Sequence, residues 1–308
     1  MAAAWSATLA AQPTGTLTVT LLGTGNPRPS LERFGPSILV EAGARRVLID
    51  AGRGASQRLF EIGGRDALVG LDAVFITHLH SDHVVGLPDL WLTSWVFGRA
   101  KALEVIGPPG TAEMAGHLEQ AYEWDINARS KDEGHPREGV RLPAKNVQPG
   151  VVYDRDGLKV TAFAVDHGSL LTPAYGYRVD YQGRSAAFSG DTRFFEPLVE
   201  QVKGVDVLVH EVVSPEVELK RTLVQDPHAV DAIIAHHTTP EQAGTIFSRV
   251  KPRLAVYSHI VPSPTTPEDL IGNTRRTYSG PLAVGYDLMT IVIGDTIEVY
   301  PRKAMSDK

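Results

Sequence analysis

Four residues with metal-ligating side chains fall within six positions of this sequence: His78, His80, Asp82 and His83, in Thr77-His78-Leu79-His80-Ser81-Asp82-His83. Imidazole nitrogens and carboxylate oxygens are suitable ligands for zinc. The segment follows an apolar run at 73–76 that reads as a strand, and it precedes a helical pattern that starts at Val84. His78 and His80, two residues apart on an extended backbone, can point the same way. Asp82 and His83 fall at the turn into the helix, where the chain can curl back under a second ion. The competing reading is a solvated polar turn. It fits poorly, because three histidines this close would repel one another when protonated and would bury no apolar surface.

One motif does not complete a dinuclear site. Three further ionisable residues follow strand-like segments: His167 after 158–165, Asp191 after 184–188 and His259 after 254–258. Each alone reads as an ordinary loop residue; beside the first motif they read as the remaining ligands. The chain has no cysteine. That excludes disulfides, thiolate metal sites and a cysteine nucleophile. A ligating imidazole also needs its outward N–H held. Asp50, at a strand end before a glycine turn, is the candidate for that task, with a plain turn residue as the alternative. Asp166 reads as an ordinary neighbour of His167, with a supporting partner as the alternative, and His228 and His236 carry no such signal.

These residues need strands to hold them. Short Val/Leu/Ile-rich runs at 17–22, 37–41, 46–50 and 73–77 read as strands in the first half. Runs at 158–165, 175–180, 184–188, 205–210, 254–258 and a two-part 289–299 read likewise in the second. Helical patterns fall at 84–97, 111–123, 240–250 and 267–277. Pro240 and Pro267 suit first helical turns, with Thr239 and Thr266 as N-caps. Strands clustered in each half with helices between them fit an α/β (α+β) class, two sheets packed face to face with helices outside.

The 308 residues are 43% hydrophobic and 21% charged, with a formal net charge of −6. No apolar run approaches the roughly 18 residues that span a bilayer, so no membrane partner is expected. The mild negative charge argues against a surface built to grip nucleic acid non-specifically. Lys220-Arg221, Lys251 with Arg253, and Arg275-Arg276 are the local basic candidates, and solvated surface charge accounts for each. Residues 1–15 lack a basic start and a long apolar core. They read as a disordered segment or the remnant of a signal peptide, which leaves the compartment open between cytoplasmic and periplasmic or secreted.

H-x-H-x-D-H resembles the signature of the metallo-β-lactamase superfamily. Leu22-Gly23-Thr24-Gly25 followed by Pro27, and Asp50-Ala51-Gly52-Arg53-Gly54-Ala55-Ser56-Gln57, are similar to segments of its ribonuclease Z branch. The resemblance runs from about Leu17 to about Val299. It implies a single αββα domain over 16–308, with the metal site at one edge of two mixed sheets. It also implies two zinc ions per chain: one held by His78, His80 and His167, the other by Asp82, His83 and His259, with Asp191 bridging. In such a site a metal-bridging hydroxide attacks the ester, and Asp82 can orient that water or take its proton. His210-Glu211 and His237-Thr238-Thr239 resemble two further family elements. By that match Glu211 orients His237, whose raised pKa suits it to protonate a leaving group.

The substrate is less legible. Ribonuclease Z enzymes usually carry a long arm that clamps tRNA between the third histidine and the bridging aspartate. Here only Gly168 to Gly190 separate those positions, enough for one hairpin. The expectation is therefore a small ester, most readily a phosphodiester. The alternatives are a ribonuclease Z-type RNA endonuclease, or hydrolysis of a β-lactam, lactone or aryl sulfate. Trp91, Trp95 and Phe97, continuing to Tyr122 and Trp124, read as core, with a pocket wall as the second possibility. The polar stretch 213–235 reads as a lid over the metal site or a homodimer contact.

Overall fold

A computed structural model describes residues 15–219, 227–262 and 265–301. The reading of residues 1–14 and the Lys220-Arg221 pair lie outside the described residues. In chain order the strands are β1 (Leu17–Gly23), β2 (Ser37–Ala42), β3 (Arg45–Ile49), β4 (Ala73–Phe75), β5 (Glu104–Gly107), β6 (Ala144–Asn146), β7 (Gly150–Arg155), β8 (Leu158–Val165), β9 (Ala174–Tyr181), β10 (Arg184–Phe188), β11 (Val207–Val213), β12 (Leu254–Val261), β13 (Leu282–Val284), β14 (Met289–Ile293) and β15 (Ile297–Tyr300). The helices are α1 (Ala55–Val69), α2 (Ser81–Val84), α3 (Leu87–Val96), α4 (Thr111–Ala121), α5 (Glu123–Asp132), α6 (Glu196–Gln201), α7 (Pro215–Leu219), α8 (Pro227–His236), α9 (Pro240–Val250) and α10 (Pro267–Thr274).

The strands form two mixed sheets, ordered β15-β14-β1-β2-β3-β4-β5-β6 and β13-β12-β11-β10-β9-β8-β7. Between them lies one apolar layer that includes Val19, Val40, Phe75, Tyr177, Phe188, Val209 and Ile291. A second layer, with Leu59, Leu90, Trp91 and Trp95, packs α1 and α3 on the outer face of the first sheet. A third, with Leu198, Ile246, Phe247 and Leu270, packs α6, α9 and α10 on the outer face of the second. This is the helix–sheet–sheet–helix layering expected, and cover on both faces explains why central strands such as β1 and β11 are buried along their whole length and mostly apolar.

The sequence patterns missed α1, which Gly63 and Gly64 interrupt with non-helical backbone, so no clean 3.6-residue period runs through it. They also missed β5, the edge strands β6, β7 and β13, and the helices α5 and α6. The 84–97 pattern is two helices, α2 and α3, because the chain breaks at Val85-Gly86. The 213–235 stretch contains the end of β11 and all of α7 as well as most of α8. Trp91 and Trp95 are fully buried and donate to the carbonyls of Val140 and Pro136. These two are core, which corrects the pocket-wall alternative for them, but Phe97, Tyr122 and Trp124 are exposed, which corrects the core reading for those three. Arg253, Arg275 and Arg276 donate to Asp206, to the Tyr278 and Gly280 carbonyls, and to Glu241. They bind their own surface rather than form a basic stripe.

Candidate metal centre

The site residues share one topological address. β3 and β4 run parallel, as do β10, β11 and β12. Asp50 follows β3, His78 and His80 follow β4, His167 follows β8, and Asp191 follows β10, while Glu211 and His259 lie near the ends of β11 and β12. All of them fall toward the carboxyl ends of their strands. There the sheets stop, backbone groups turn outward, and polar side chains from strands far apart in sequence can meet.

Local backbone devices aim these side chains. Asp50 adopts a positive φ of 59°, a conformation Asp tolerates better than most residues. Its N–H reaches the Phe75 carbonyl, and its carboxylate accepts from the Thr77 N–H and Thr77 Oγ1, each at 2.8 Å, and from His83 Nδ1 at 2.8 Å. Ala51 and the α2 turn are locked together: the Ala51 N–H donates to the His83 carbonyl and the Gly86 N–H to the Ala51 carbonyl. That approach requires glycine, because a Cβ on Gly86 would sit 2.0 Å from the Gly52 oxygen. Gly190, at φ +60°, makes the turn that delivers Asp191. His259 sits where the β11–β12 register shifts, at φ 43°, so a bulge re-aims its ring.

The seven expected ligands converge. His78 Nε2 lies 3.0 Å and His167 Nε2 3.2 Å from His80 Nδ1. His259 Nε2 lies 3.2 Å from Asp82 Oδ2 and 3.3 Å from Asp191 Oδ2. His83 Nε2 lies 3.4 Å from Asp191 Oδ2 and 3.7 Å from Asp82 Oδ2. The same Asp191 oxygen is 3.9 Å from His78 Nε2 and 3.8 Å from His167 Nε2, so it stands between the two groups. A tetrahedral site with metal–nitrogen bonds of 2.0–2.1 Å has ligand–ligand edges of roughly 3.3 Å, close to most of these spacings.

Hydrogen bonding alone does not account for this packing. His78 Nδ1 contacts Thr77 Oγ1, whose own proton goes to Asp50, so the Nδ1 proton is the donor and Nε2 is left bare. His167 Nδ1 donates to the His236 carbonyl at 3.0 Å, which leaves its Nε2 bare as well. Two lone pairs thus face His80 Nδ1, which has at most one proton to share. His83 Nε2 is buried with no hydrogen-bond partner. A divalent ion in each cluster would satisfy all of these atoms. The residues fit two such ions, His78, His80, His167 and Asp191 about one and Asp82, His83 and His259 about the other.

Protonation differs between the clusters. Burial holds His78 well below the ordinary imidazole range, aided by the neighbouring His83, and burial also lowers His80 and brings His167 to about 4. These three are neutral and ready to ligate. Burial opposes charge on His83 too, but the Asp191 and Asp50 carboxylates outweigh it and raise the ring well above its usual value.

Glu211 and His237 adjoin this centre. His237 is pushed up to about 9: burial works against its charge, and the charge and hydrogen bond of Glu211, with the charge of Asp191, overcome it. A ring nitrogen of His237 comes within 4.8 Å of the ligand atoms of Asp191 and His259. The His237 and His259 rings stack with centroids 5.6 Å apart. Asp166 stays outside the centre, accepting from the Gly168 N–H and facing Arg193.

A cleft of ≈ 570 Å³ opens over the ligands, lined by Asn26, Arg28, Ala232, Ile233, His236 and Val261 besides the site residues. Sequence reasoning missed Arg28 and Asn26, since a loop arginine has no periodicity to mark it. It also passed over His236, whose carbonyl holds His167 and whose only sequence signal is adjacency to His237.

Comparison with known proteins agrees with this geometry. The beta-lactamase superfamily domain matches residues 45–260. A ribonuclease Z of Mycobacterium bovis (strain BCG / Pasteur 1173P2) is 35% identical over 294 residues, covering 93% of this chain and 100% of that protein. One of Mycobacterium marinum is 37% identical over 250 residues, covering 80% of this chain and 86% of that protein. Among solved structures, the short form of human tRNase Z aligns with a TM-score of 0.64 at 20% identity, covering 89% of this chain and 98% of that one. The metallo-beta-lactamase fold protein YhfI of Bacillus subtilis aligns with a TM-score of 0.66 at 16% identity, covering 90% and 99%. At these identities the two solved structures show the fold alone.

Proposed function

The chain belongs to the β-lactamase superfamily, as a metal-dependent hydrolase of its ribonuclease Z-like branch, and we propose that it is a two-zinc phosphodiesterase that cleaves RNA endonucleolytically. The observation that carries this reading is the Glu211–His237 pair, with Glu211 buried and His237 half-buried, set against the seven converging ligands, five of which line one cleft. We take His78, His80, Asp82, His83, His167, Asp191 and His259 as the metal ligands. Two zinc ions held there would supply Lewis acidity and a water nucleophile at neutral pH.

The chain's own groups do the rest. Asp82 Oδ2, turned toward the centre, can orient the attacking water or take its proton. His237 commits Nδ1 to Glu211, so its Nε2 proton is the one available to the departing sugar oxygen. Glu211 keeps that imidazole charged and fixes its direction. Arg28, exposed at the mouth, offers a positive charge to a phosphate. Ala232 and Ile233 of α8, with Val261, give an apolar wall that suits a nucleobase. That placement favours, for α8, the lid reading over the dimer reading.

The short 168–190 hairpin had favoured a small ester. The curated relatives reverse that order. The Mycobacterium bovis protein is matched along its whole length by an alignment that also takes in 93% of this chain, which leaves little room for a long arm that this chain lacks. A missing arm therefore does not separate this chain from proteins named ribonuclease Z. The net charge of −6 still favours a second reading, hydrolysis of a small phosphodiester or related ester.

One experiment separates the two. The zinc-loaded protein is incubated with a precursor tRNA, an unstructured RNA, a bis-aryl phosphodiester, an aryl sulfate, a lactone and a cephalosporin. Cleavage of RNA at a defined internal position, falling steeply with salt, is the expected result. Intact RNA beside rapid turnover of a small ester overturns it.

A further inference from the structure

Behind the metal centre, between the sheets, lies a small cavity of ≈ 40 Å³. Its lining includes Ser37 of β2, Asp191, His210 of β11 and His259 of β12. Each of these four residues carries a buried polar atom with no hydrogen-bond partner: Ser37 Oγ, Asp191 Oδ1, His210 Nε2 and His259 Nδ1. Such atoms are rare in folded proteins, and four around one cavity call for an explanation. Each is the second polar atom of a side chain whose other end is committed, apart from the single hydroxyl of Ser37. Asp191 Oδ2 and His259 Nε2 face the metal ligands, and His210 Nδ1 lies 2.7 Å from the Glu211 carbonyl.

The donor and acceptor inventory can be worked out. His210 Nδ1 faces a carbonyl, so it carries the proton, and burial keeps the ring neutral by lowering its pKa. Its Nε2 is therefore a bare acceptor. His259, ligating through Nε2, carries its proton on Nδ1 and is a donor. Asp191 Oδ1 is an acceptor, and the Ser37 hydroxyl can serve as either. One donor, two acceptors and one hydroxyl around a polar space are what water satisfies, since it accepts from His259 and donates to His210 and Asp191. The volume suffices, because one water needs about 10–15 Å³ of such space.

We propose that this cavity holds a structural water cluster of one to three molecules, and that His210 is a positioning residue acting through it. The cluster fixes the Nδ1–H tautomer of His259 and restrains the outer oxygen of Asp191. Asp191 and His259 are thereby aimed from behind. His210 touches neither substrate nor metal. The inference rests on the metal-ligand reading above.

Two measurements test it. A crystal structure of the wild-type protein at high resolution is expected to show water density within hydrogen-bond distance of at least three of the four atoms. A dry cavity overturns the proposal, and this arm decides whether or not metal is bound. Zinc affinity is then measured by chelator competition for Ser37→Ala, His210→Gln and His210→Phe. His210→Phe is expected to weaken zinc about 10- to 100-fold, the range for lost outer partners of ligands. His210→Gln, which keeps a polar atom near the Nε2 position, is expected to recover most of that loss. Ser37→Ala removes only a hydroxyl and keeps the test open should the His210 variants misfold; a several-fold weakening is expected. Unchanged affinity in all folded variants overturns the proposal. A wild-type protein that binds no zinc overturns the reading of the centre instead, and the water density still decides the cavity.

Discussion

His237 Nδ1 lies 3.0 Å from Oε2 of Glu211, while the other oxygen of that carboxylate accepts the Thr238 N–H at 2.8 Å. The Glu211 backbone N–H is in turn held by Ser189 Oγ at 3.0 Å. The carboxylate therefore cannot swing away, and its partner imidazole keeps one direction and one charge. An acid positioned this way matters in proportion to how badly the leaving group needs a proton. His237→Ala is expected to lower turnover about 10²- to 10⁴-fold on a phosphodiester with an alkoxide leaving group, and far less on an aryl ester. Steady-state rates on the two substrates check this; equal losses on both would sink the proton-donor role.

Among the described residues, Asp191 is the carboxylate that lies within 4 Å of ring nitrogens of both clusters. Asp191→Ala is expected to cut bound zinc from two ions per chain to one or fewer, with loss of hydrolysis. Elemental analysis of protein purified from zinc-supplemented medium is the check. Two ions retained at full activity would refute the dinuclear model.

Asp50 binds no metal in this reading, yet it takes hydrogen bonds from His83, Thr77 Oγ1 and the Thr77 N–H. Asp50→Ala releases the His83 ring and the strand end that carries His78. A 10- to 100-fold loss of zinc affinity is expected, in line with about that cost for other supporting partners. Chelator competition measures it, with circular dichroism to confirm the fold.

The charge on His237 has a pH signature in the metal-free protein. Its folded pKa of about 9 lies above the unfolded value of about 6.5. The stability it contributes is thus fully present below about pH 6.5 and is lost as pH rises through about 9. Denaturant titrations in chelator should show the gap between wild type and His237→Gln shrinking over that window. Added zinc brings positive charge nearby, so NMR titration should find the His237 pKa lower in the loaded protein.

Gly86→Ala tests the backbone approach that sets His83. The added methyl would meet the Gly52 oxygen at 2.0 Å, and neither backbone can yield without moving α2. A destabilisation of about 1–3 kcal/mol is expected, typical of overpacking, together with weakened metal binding. Thermal melts with and without zinc distinguish this from a purely local effect, because a displaced His83 should reduce the stabilisation that zinc confers.

The chain alone determined the side chains that meet at the candidate metal centre and most of the strands that deliver them. His78, His80, Asp82 and His83 are legible because their spacing is local, and β8 and α9 because a buried face imposes a period on the sequence. Strands clustered in each half, with helices between them, likewise betray the layered class. Three-dimensional packing decided everything that depends on residues distant in sequence. Only there does Asp50 meet His83, does a backbone carbonyl of His236 orient His167, and does Arg28 reach the same cleft as α8. Trp91 and Trp95 could be settled as core only once α3 had a sheet to cover. Periodicity reports which face of an element is buried. It is silent about single contacts between strand ends, because the free energy of such a contact leaves no repeat along the chain.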